Sequence, residues 1–330
     1  MSPLARARGL FGALRDAGRT TPAVDPASMR RNLAAIGALR GGFDWLDRFA
    51  PTTVDGGAGR LNLEIGAADD AWGTLVFVPG TNAYALMYGQ ALSAMLDRGL
   101  NVVGLDPRGH GASDGRRGSY TLTELLDDLD RAIAHARQRF GGPIFVGGSS
   151  QGGIAAFYTA AERRDLAGAV CHNIADLGAP DRVRLSRLEP VGRMAEPLVR
   201  GLARLLPELP VPMTVYLDLA REPVIGLGNA RDALYGDPAL YPCVRLRALA
   251  SLSGTPLPVP VDAITTPVLV LHGGGDTLFP TDYVEGLYRR LPGDRHGFRL
   301  YPGLPHYLVV DHVDAWIDDV VDWMRDRVAR

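Results

Sequence analysis

Short, continuously apolar runs alternate with helix-like stretches along most of this chain. The clearest runs are residues 74–78, 101–105, 144–146, 166–171 and 268–271. Runs of this kind suit strands that are buried on both faces, as in parallel sheets covered by helices on each side. The alternation therefore predicts an α/β fold built on a mostly parallel, doubly wound sheet.

The alternation is absent from two parts of the chain. Residues 1–50 are helix-prone but loosely patterned, so we expect an N-terminal helical extension. Residues 176–262 are rich in Pro, Leu and Arg, and no buried parallel strand is evident there. We therefore predict an α/β core formed by residues 51–175 and 263–330, with residues 176–262 inserted into it as a helical segment.

Composition excludes several classes of function. The net charge of -2 offers no global attraction to nucleic acid or to an anionic membrane. All 35 basic residues are Arg, so no Lys can form a Schiff base or act as a general base. No apolar run reaches about 18 residues, which predicts no stable membrane insertion. The two cysteines form no CxxC pair, and a cytoplasmic location fits them.

The strongest chemical signal is the segment from Gly148 to Gly152, which reads GSSQG and fits the pattern G-x-S-x-G. It follows a predicted strand directly and opens a predicted helix, the context in which a nucleophilic Ser sits on a sharp turn. Small residues two before and two after Ser150 let the neighbouring backbones pass closely. Ser149 is the competing hydroxyl, but the same pattern centred on it would need Gly at position 151, which is Gln.

A Ser hydroxyl needs a general base, and that base needs an orienting carboxylate. His306 lies between the last predicted strand and the last predicted helix, where a base could reach Ser150. Asp276 follows the strand 268–271, and the chain order Ser150, Asp276, His306 is the one expected on such a scaffold. Taken alone, Asp276 could equally be a turn-forming Asp. The remaining histidines lack this placement: His110, His135, His172, His272, His296 and His312.

An oxyanion hole needs two backbone N–H donors beside the nucleophile. We expect one from Gln151, the residue after Ser150, and the other from Thr81 in the loop after the 74–78 strand. Asn82 could add a side-chain donor. The acidic residues and histidines show no metal-ligand spacing such as H-E-x-x-H, so no metal is predicted. Ser-based acyl transfer needs no cofactor, and no dinucleotide or phosphate-binding fingerprint occurs.

These motifs together resemble the α/β-hydrolase superfamily, and within it the monoacylglycerol lipase/lysophospholipase-like branch. The resemblance covers about residues 60–325 and rests on five segments: PGTN at 79–82, DPRGHGAS at 106–113, GGSSQGG at 147–153, HGGGD at 272–276 and GLPHYL at 303–308. It implies an α/β-hydrolase fold in which residues 176–262 form a helical cap. It also implies that Asp106, Arg108 and His110 are architectural.

Two departures from the family pattern concern the substrate subclass more than catalysis. Pro79-Gly80 stands where relatives usually carry His-Gly, and GGSSQGG stands where GHSMGG is usual. Both changes leave the backbone N–H donors available.

The predicted function is hydrolysis of carboxylic esters of apolar or acyl substrates through an acyl-enzyme on Ser150. The predicted partner is a small-molecule ester, and the oligomeric state stays open. The insertion carries apolar residues that either contact the substrate or simply pack on the core. They are Leu188, Val191, Met194, Leu198, Val199, Leu202, Leu205, Leu206 and Leu209.

Three alternatives stay open. The same triad could serve a thioesterase or acyltransferase, because only the second nucleophile differs. It could serve a peptidase of the proline-iminopeptidase type if acidic residues of the insertion hold a substrate amine. The candidates for that role are Glu189, Glu196, Glu208 and Glu222. From a different class, the chain could be a non-catalytic binding protein on a hydrolase fold.

Overall fold

A computed structural model describes residues 24–38, 42–187 and 189–329. Twelve strands occur in these ranges: β1 (Ala50–Asp55), β2 (Arg60–Gly66), β3 (Gly73–Val78), β4 (Leu100–Asp106), β5 (Ile144–Ser149), β6 (Gly168–His172), β7 (Pro210–Pro212), β8 (Pro223–Val224), β9 (Gly228–Asn229), β10 (Cys243–Arg245), β11 (Val268–Gly273) and β12 (Gly297–Tyr301). The helices of the same ranges are α1 (Pro26–Ala38), α2 (Gly89–Asp97), α3 (Leu122–Phe140), α4 (Gln151–Glu162), α5 (Glu189–Leu205), α6 (Ala230–Gly236), α7 (Leu246–Leu252), α8 (Thr281–Tyr288), α9 (Leu308–Asp311) and α10 (Ile317–Val328).

Eight of the strands form one sheet in the order β1-β2-β4-β3-β5-β6-β11-β12. The pairs β1–β2 and β2–β4 are antiparallel, and every other pair in this sheet is parallel. The prediction of a mostly parallel sheet is therefore confirmed. The carboxyl ends of β3, β5, β11 and β12 lie along one edge, where the loops that follow them can meet.

The sheet is covered on both faces, which explains the unbroken apolar runs. Val76 packs in a core cluster with Leu129 of α3 and Phe157 of α4. Its neighbour Leu75 points to the opposite face, into a cluster that includes Val320 of α10. The strand is thus buried from end to end, and period-two alternation is lost because both faces are apolar.

A Thr followed three residues later by Glu, as at Thr121 and Glu124, predicts a capping box at the start of a helix, and α3 begins with this feature. The Thr121 side chain accepts a hydrogen bond from the Glu124 N–H, and the Glu124 carboxylate accepts one from the Thr121 N–H. This capping box satisfies two N–H groups that have no partner within the helix.

Within the predicted N-terminal extension, the described helix α1 packs against the core. Helix α1 buries Met29 and Leu33 against the core, and the Arg30 guanidinium donates to the buried Glu64 carboxylate of β2 at 2.5 Å. Residues 1–23 and 39–41, which belong to the same predicted extension, lie outside the described residues.

The segment between β6 and β11 contains α5, α6 and α7, as expected of a helical insertion. It also contains two small antiparallel sheets that the sequence did not predict, β7 with β10 and β8 with β9. These strands have two or three residues each, too short to leave a period-two pattern. The boundaries of core and cap at residues 176 and 262 stay a prediction.

Within the described residues, no helix is both long and apolar enough to cross a membrane. Cys171 and Cys243 are buried free thiols.

Candidate active site

Ser150 occupies the turn between β5 and α4. Its backbone has φ 56° and ψ −119°, a left-handed conformation that a residue with a side chain rarely adopts. The Ser150 N–H donates to the His172 carbonyl at 2.9 Å, which anchors this turn to β6. Such local strain is characteristic of functional turns that the surrounding structure holds in place.

Two glycines allow the turn to pack. A Cβ on Gly152 would lie 2.1 Å from the Val78 carbonyl oxygen, and a Cβ on Gly148 would lie 2.4 Å from the backbone of Gly152. Neither backbone can give way, since β3 and β5 are neighbours inside the sheet. The spacing of glycines around Ser150 therefore reflects close approach of three backbone segments.

His306 and Asp276 are in direct contact, although they lie in different loops. His306 follows β12, and its Nδ1 is 2.8 Å from Oδ2 of Asp276, which follows β11. The other carboxylate oxygen accepts hydrogen bonds from the N–H groups of Leu278 at 2.8 Å and Phe279 at 2.9 Å. The carboxylate is therefore fixed in place and can hold the imidazole in one orientation.

Burial and charge act in opposite directions on this pair. Burial alone would raise the pKa of Asp276, but the adjacent His306 ring and its hydrogen bond outweigh that effect and lower it. Burial would lower the pKa of His306, yet Asp276 and then Glu222 more than offset it and raise it above 6.5. The arrangement therefore favours the imidazolium–carboxylate state.

Ser150 and His306 line the same cavity, together with Gly80 and Thr81. The structure thus brings all three predicted triad residues to one place: the hydroxyl and the imidazole face a shared cavity, and the carboxylate is bonded behind the imidazole. An attacking oxygen, a base and an orienting acid are the groups that acyl transfer requires.

Thr81 and Gln151, the two residues predicted to supply the backbone donors of the oxyanion hole, line one cavity and are in contact through their side chains. Gln151 is the first residue of α4, so its N–H lies at the positive end of the helix. The Gln151 side-chain oxygen accepts from the Thr81 hydroxyl at 3.0 Å and from the Tyr120 hydroxyl at 2.9 Å. This contact joins the loop after β3 to the start of α4.

The prediction that the Asn82 side chain could add a donor to the oxyanion hole is not supported, because its amide group is engaged elsewhere. Its amide nitrogen donates to the carbonyl groups of Tyr241 at 2.9 Å and Cys243 at 2.6 Å, and its side chain is buried. Asn82 also has a positive φ of 55°, and its side chain contacts the inserted segment through these two hydrogen bonds. It therefore links the loop after β3 to that segment.

Sequence reasoning did not place three buried polar residues beside the predicted triad. Asn173 donates to Asp276 Oδ2 at 2.8 Å. The His172 ring lies 5.0 Å from that of His306, centroid to centroid, and its Nδ1 is 2.9 Å from the Ser149 hydroxyl. Glu222 accepts a hydrogen bond from the His306 N–H at 2.9 Å. The position of His172 and Asn173 at the carboxyl end of a buried strand was the available signal.

His172, Asp276 and His306 bring three potential metal-ligand atoms within 4.8 Å of one another. The hydrogen bond between Asp276 and His306 already accounts for two of them. Burial lowers the pKa of His172 well below its ordinary value, so this ring is neutral in the working range. We therefore interpret the cluster as the hydrogen-bonded pair of Asp276 and His306 with the His172 ring packed beside it.

The other histidines have structural contacts. His272 bonds to Asn173 at 2.6 Å and to Thr281 at 2.9 Å, and so braces the Asp276 loop. His110 is buried, with Nδ1 at 2.9 Å from the Arg108 carbonyl. The contact of His110 is consistent with the architectural role that the resemblance implies for it.

A second, larger cavity also reaches Ser150, Thr81 and Gln151. The inserted segment supplies most of its walls, and the side chains it contributes are mainly apolar. They include Leu185, Val199, Tyr216, Leu217, Leu249 and Leu252. Ser150 therefore stands where two apolar-walled cavities meet.

Few of the apolar residues singled out in the insertion line either cavity. Val199 does, whereas Leu198, Leu205, Leu206 and Leu209 are exposed. Leu188 and the side chains of Val191 and Met194 lie outside the described residues.

The family described as serine aminopeptidase, S33, matches residues 69–312, which is most of the chain. The chain belongs to this family. The predicted α/β-hydrolase fold and the resemblance to monoacylglycerol lipases are confirmed with it. The match begins before β3 and ends after α9, so it contains Ser150, Asp276 and His306.

Two relatives of this chain carry the names of enzymes that hydrolyse esters. A monoacylglycerol lipase of Mycolicibacterium smegmatis is 28% identical over 275 residues, which cover 79% of this chain and 94% of that one. The phospholipase YtpA of Bacillus subtilis is 26% identical over 247 residues, covering 72% and 89%. These relatives support the prediction of an enzyme that hydrolyses ester bonds.

A solved structure shows the same fold. The monoacylglycerol lipase of Paleococcus ferrophilus superposes with a TM-score of 0.66 at 20% identity, covering 81% of this chain and 99% of that one.

Proposed function

We propose that the protein is a serine hydrolase that cleaves carboxylic esters of apolar acyl substrates through an acyl-enzyme on Ser150. His306 acts as the general base, and Asp276 orients its ring. The observation that carries the proposal is the 2.8 Å bond between His306 Nδ1 and Asp276 Oδ2 beside a cavity that Ser150 and His306 share.

In the first half of the reaction, the Ser150 oxygen attacks the ester carbonyl carbon while His306 Nε2 takes the hydroxyl proton. The tetrahedral oxyanion receives hydrogen bonds from the backbone N–H groups of Gln151 and Thr81. The C–O bond to the alcohol then breaks, and His306 returns the proton to the departing oxygen. A water molecule, deprotonated by the same base, releases the acid and restores Ser150.

The lining of both cavities supports an apolar substrate. Burying apolar carbon contributes about 0.8 kcal/mol per methylene group, so binding should strengthen with acyl length until a cavity is filled. We infer that residues 176–262 act as a cap over the larger cavity, because Val199, Tyr216 and Leu249 of this segment form its walls.

The name of the family refers to a peptidase, but three of the four acidic residues that could hold a substrate amine are engaged in other contacts. Glu196 pairs with Arg182 and Arg200, both at 2.5 Å. Glu208 lies 3.2 Å from Arg116. Glu222 is buried against the backbone of the His306 loop. These contacts favour an ester over an aminoacyl substrate.

The experiment compares p-nitrophenyl esters of graded chain length with aminoacyl p-nitroanilides, using the wild type, Ser150→Ala and Ser149→Ala. We expect ester turnover and fluorophosphonate labelling in the wild type. Both should vanish in Ser150→Ala with the fold retained. Ser149 is the matched control because its hydroxyl is the adjacent one and bonds to His172.

Undiminished ester turnover in Ser150→Ala would refute the nucleophile. A wild type that neither labels nor turns over any ester or anilide would favour a binding protein. Transfer of the acyl group to an added thiol or alcohol faster than to water would identify a transferase.

A further inference from the structure

Glu222 joins the two loops that carry the imidazole and its carboxylate. Its Oε2 accepts a hydrogen bond from the His306 N–H at 2.9 Å. Its Oε1 accepts from the N–H of Thr277, the residue after Asp276, at 2.6 Å, and from the Thr277 hydroxyl. One carboxylate therefore spans from the loop after β11 to the loop after β12.

Glu222 comes from the inserted segment, and its own backbone is held on both sides. Its carbonyl accepts from the Ala230 N–H at 2.9 Å, and β8, which begins at the next residue, pairs with β9. The Ile225 N–H donates to Asp311 of α9 at 2.9 Å. The carboxylate is thus presented to the two loops from a fixed position.

A carboxylate with no exposed surface is costly to bury unless it is well hydrogen-bonded. Among the described residues, the Glu222 carboxylate accepts hydrogen bonds from these two loops. The residue lines neither of the two cavities beside Ser150. It cannot receive a substrate amine there without losing these bonds. The Glu222 carboxylate therefore acts on the two loops that it contacts and not on a molecule in either cavity.

We propose that Glu222 is a positioning residue for this reaction: it fixes the His306 and Asp276 loops relative to each other and stabilises the imidazolium formed when His306 takes the Ser150 proton. The inserted segment then completes the catalytic apparatus as well as covering it. This inference rests on the proposed hydrolase function.

The charged groups around His306 indicate that the loss of Glu222 should be measurable as a change in the pKa of His306. Asp276 and Glu222 are the acidic groups that act on the ring, and both raise the pKa of His306 against the effect of burial. The rings of His172 and His272 also interact with His306, and burial is the main cause that lowers the pKa of both. Phe279 stacks on the His306 ring with centroids 5.6 Å apart, and Tyr307 approaches it edge-on at 5.9 Å.

The test compares Glu222→Gln, Glu222→Asp and a control, Asp237→Asn. Asp237 is another buried carboxylate of the same segment, bonded to Tyr84 at 2.7 Å and Asn32 at 2.5 Å rather than to the catalytic loops. In Glu222→Gln we expect kcat to fall about 10²-fold with KM nearly unchanged, since a misplaced base costs rate more than binding. The acid limb of kcat/KM should move to lower pH.

Glu222→Asp keeps the charge but is one methylene shorter, so its acid limb should stay near that of the wild type while kcat falls partially. Asp237→Asn should lower the melting temperature without moving the acid limb. The His306 pKa, followed by NMR titration of the imidazole, gives the same comparison without any substrate.

Wild-type kcat and an unmoved His306 titration in a folded Glu222→Gln variant would overturn the proposal. Equal losses in Glu222→Gln and Asp237→Asn, with no change of acid limb, would also overturn it, because both residues would then serve only the fold. A wild type without any esterase activity would instead refute the proposed function, whatever the titration shows.

Discussion

The hydroxyl of Thr81 donates to the side-chain oxygen of Gln151 at 3.0 Å, across 70 positions of sequence. The bond ties together the two residues whose backbone N–H groups form the proposed oxyanion hole. Gln151 thus uses its polar side chain to hold the loop that carries Thr81 against the start of α4.

Replacing Gln151 with Leu should lower kcat about 10-fold, because the loop that carries Thr81 loses its attachment to α4. It should also destabilise the fold by about 1–3 kcal/mol, since the buried Tyr120 hydroxyl loses its acceptor. Steady-state kinetics and urea unfolding measure both effects. A double-mutant cycle with Thr81→Val isolates the shared bond, and strictly additive effects on kcat would argue against it.

Gly152→Ala should abolish activity and lower the melting temperature sharply, because the new Cβ would lie 2.1 Å from the Val78 carbonyl oxygen. The matched control is Gly286→Ala in α8, where a Cβ meets nothing within 4 Å. That control should gain about 0.5–1 kcal/mol, since Ala is the better helix former. Thermal unfolding of the two variants provides the comparison, and similar melting temperatures would contradict the close packing at Gly152.

The pH dependence follows from the direction of the His306 shift. The imidazole must be neutral to accept a proton, and its pKa is raised above 6.5, so kcat/KM should rise through a midpoint above pH 6.5. Asp276→Asn should shift that midpoint to lower pH and reduce kcat by about 10⁴-fold. Rate profiles between pH 5 and 9 test this, and a wild-type midpoint below the ordinary histidine value would count against the assignment of the base.

Arg30→Met tests whether the N-terminal helix stabilises the core. Burial and then the Asp106 charge raise the pKa of Glu64 to about 7, and Arg30 lowers it from what it would otherwise be. Removing Arg30 costs more stability where Glu64 is charged, whereas its hydrogen bonds to the Leu46 and Phe49 carbonyl groups are lost at either pH. We therefore expect a loss of about 3 kcal/mol at pH 8 and a smaller loss at pH 5, where the carboxyl is protonated.

The neighbouring Arg31 provides the control for that prediction. Arg31 lies on the same helix as Arg30 and forms an exposed pair, at 4.0 Å, with Asp25 just before that helix, so Arg31→Met should change stability by less than about 1 kcal/mol. Denaturant unfolding at both pH values gives the numbers. Equal losses for Arg30→Met and Arg31→Met would mean that the contact with Glu64 contributes little.

Local pattern was sufficient for much of this fold. The strand predicted at residues 268–271 is Val268–Gly273, and the predicted capping box at Thr121 is present. Ser150, Asp276 and His306 could be proposed because each belongs to a short motif tied to a strand end. The strand Ala50–Asp55 was missed, since an exposed edge strand containing Pro lacks an apolar signature.

The sequence by itself determined which residues form the buried strands and which loops carry a hydroxyl, an imidazole and a carboxylate, because these depend on periodicity and on neighbours along the chain. Only the tertiary structure decided that the Asn82 side chain bonds to the inserted segment, that His172 and Asn173 lie beside the His306–Asp276 pair, and that Glu222 bonds to the two loops that carry Asp276 and His306. Those contacts join residues far apart in the chain, and no local spacing encodes a partner that the folding of the sheet brings into reach.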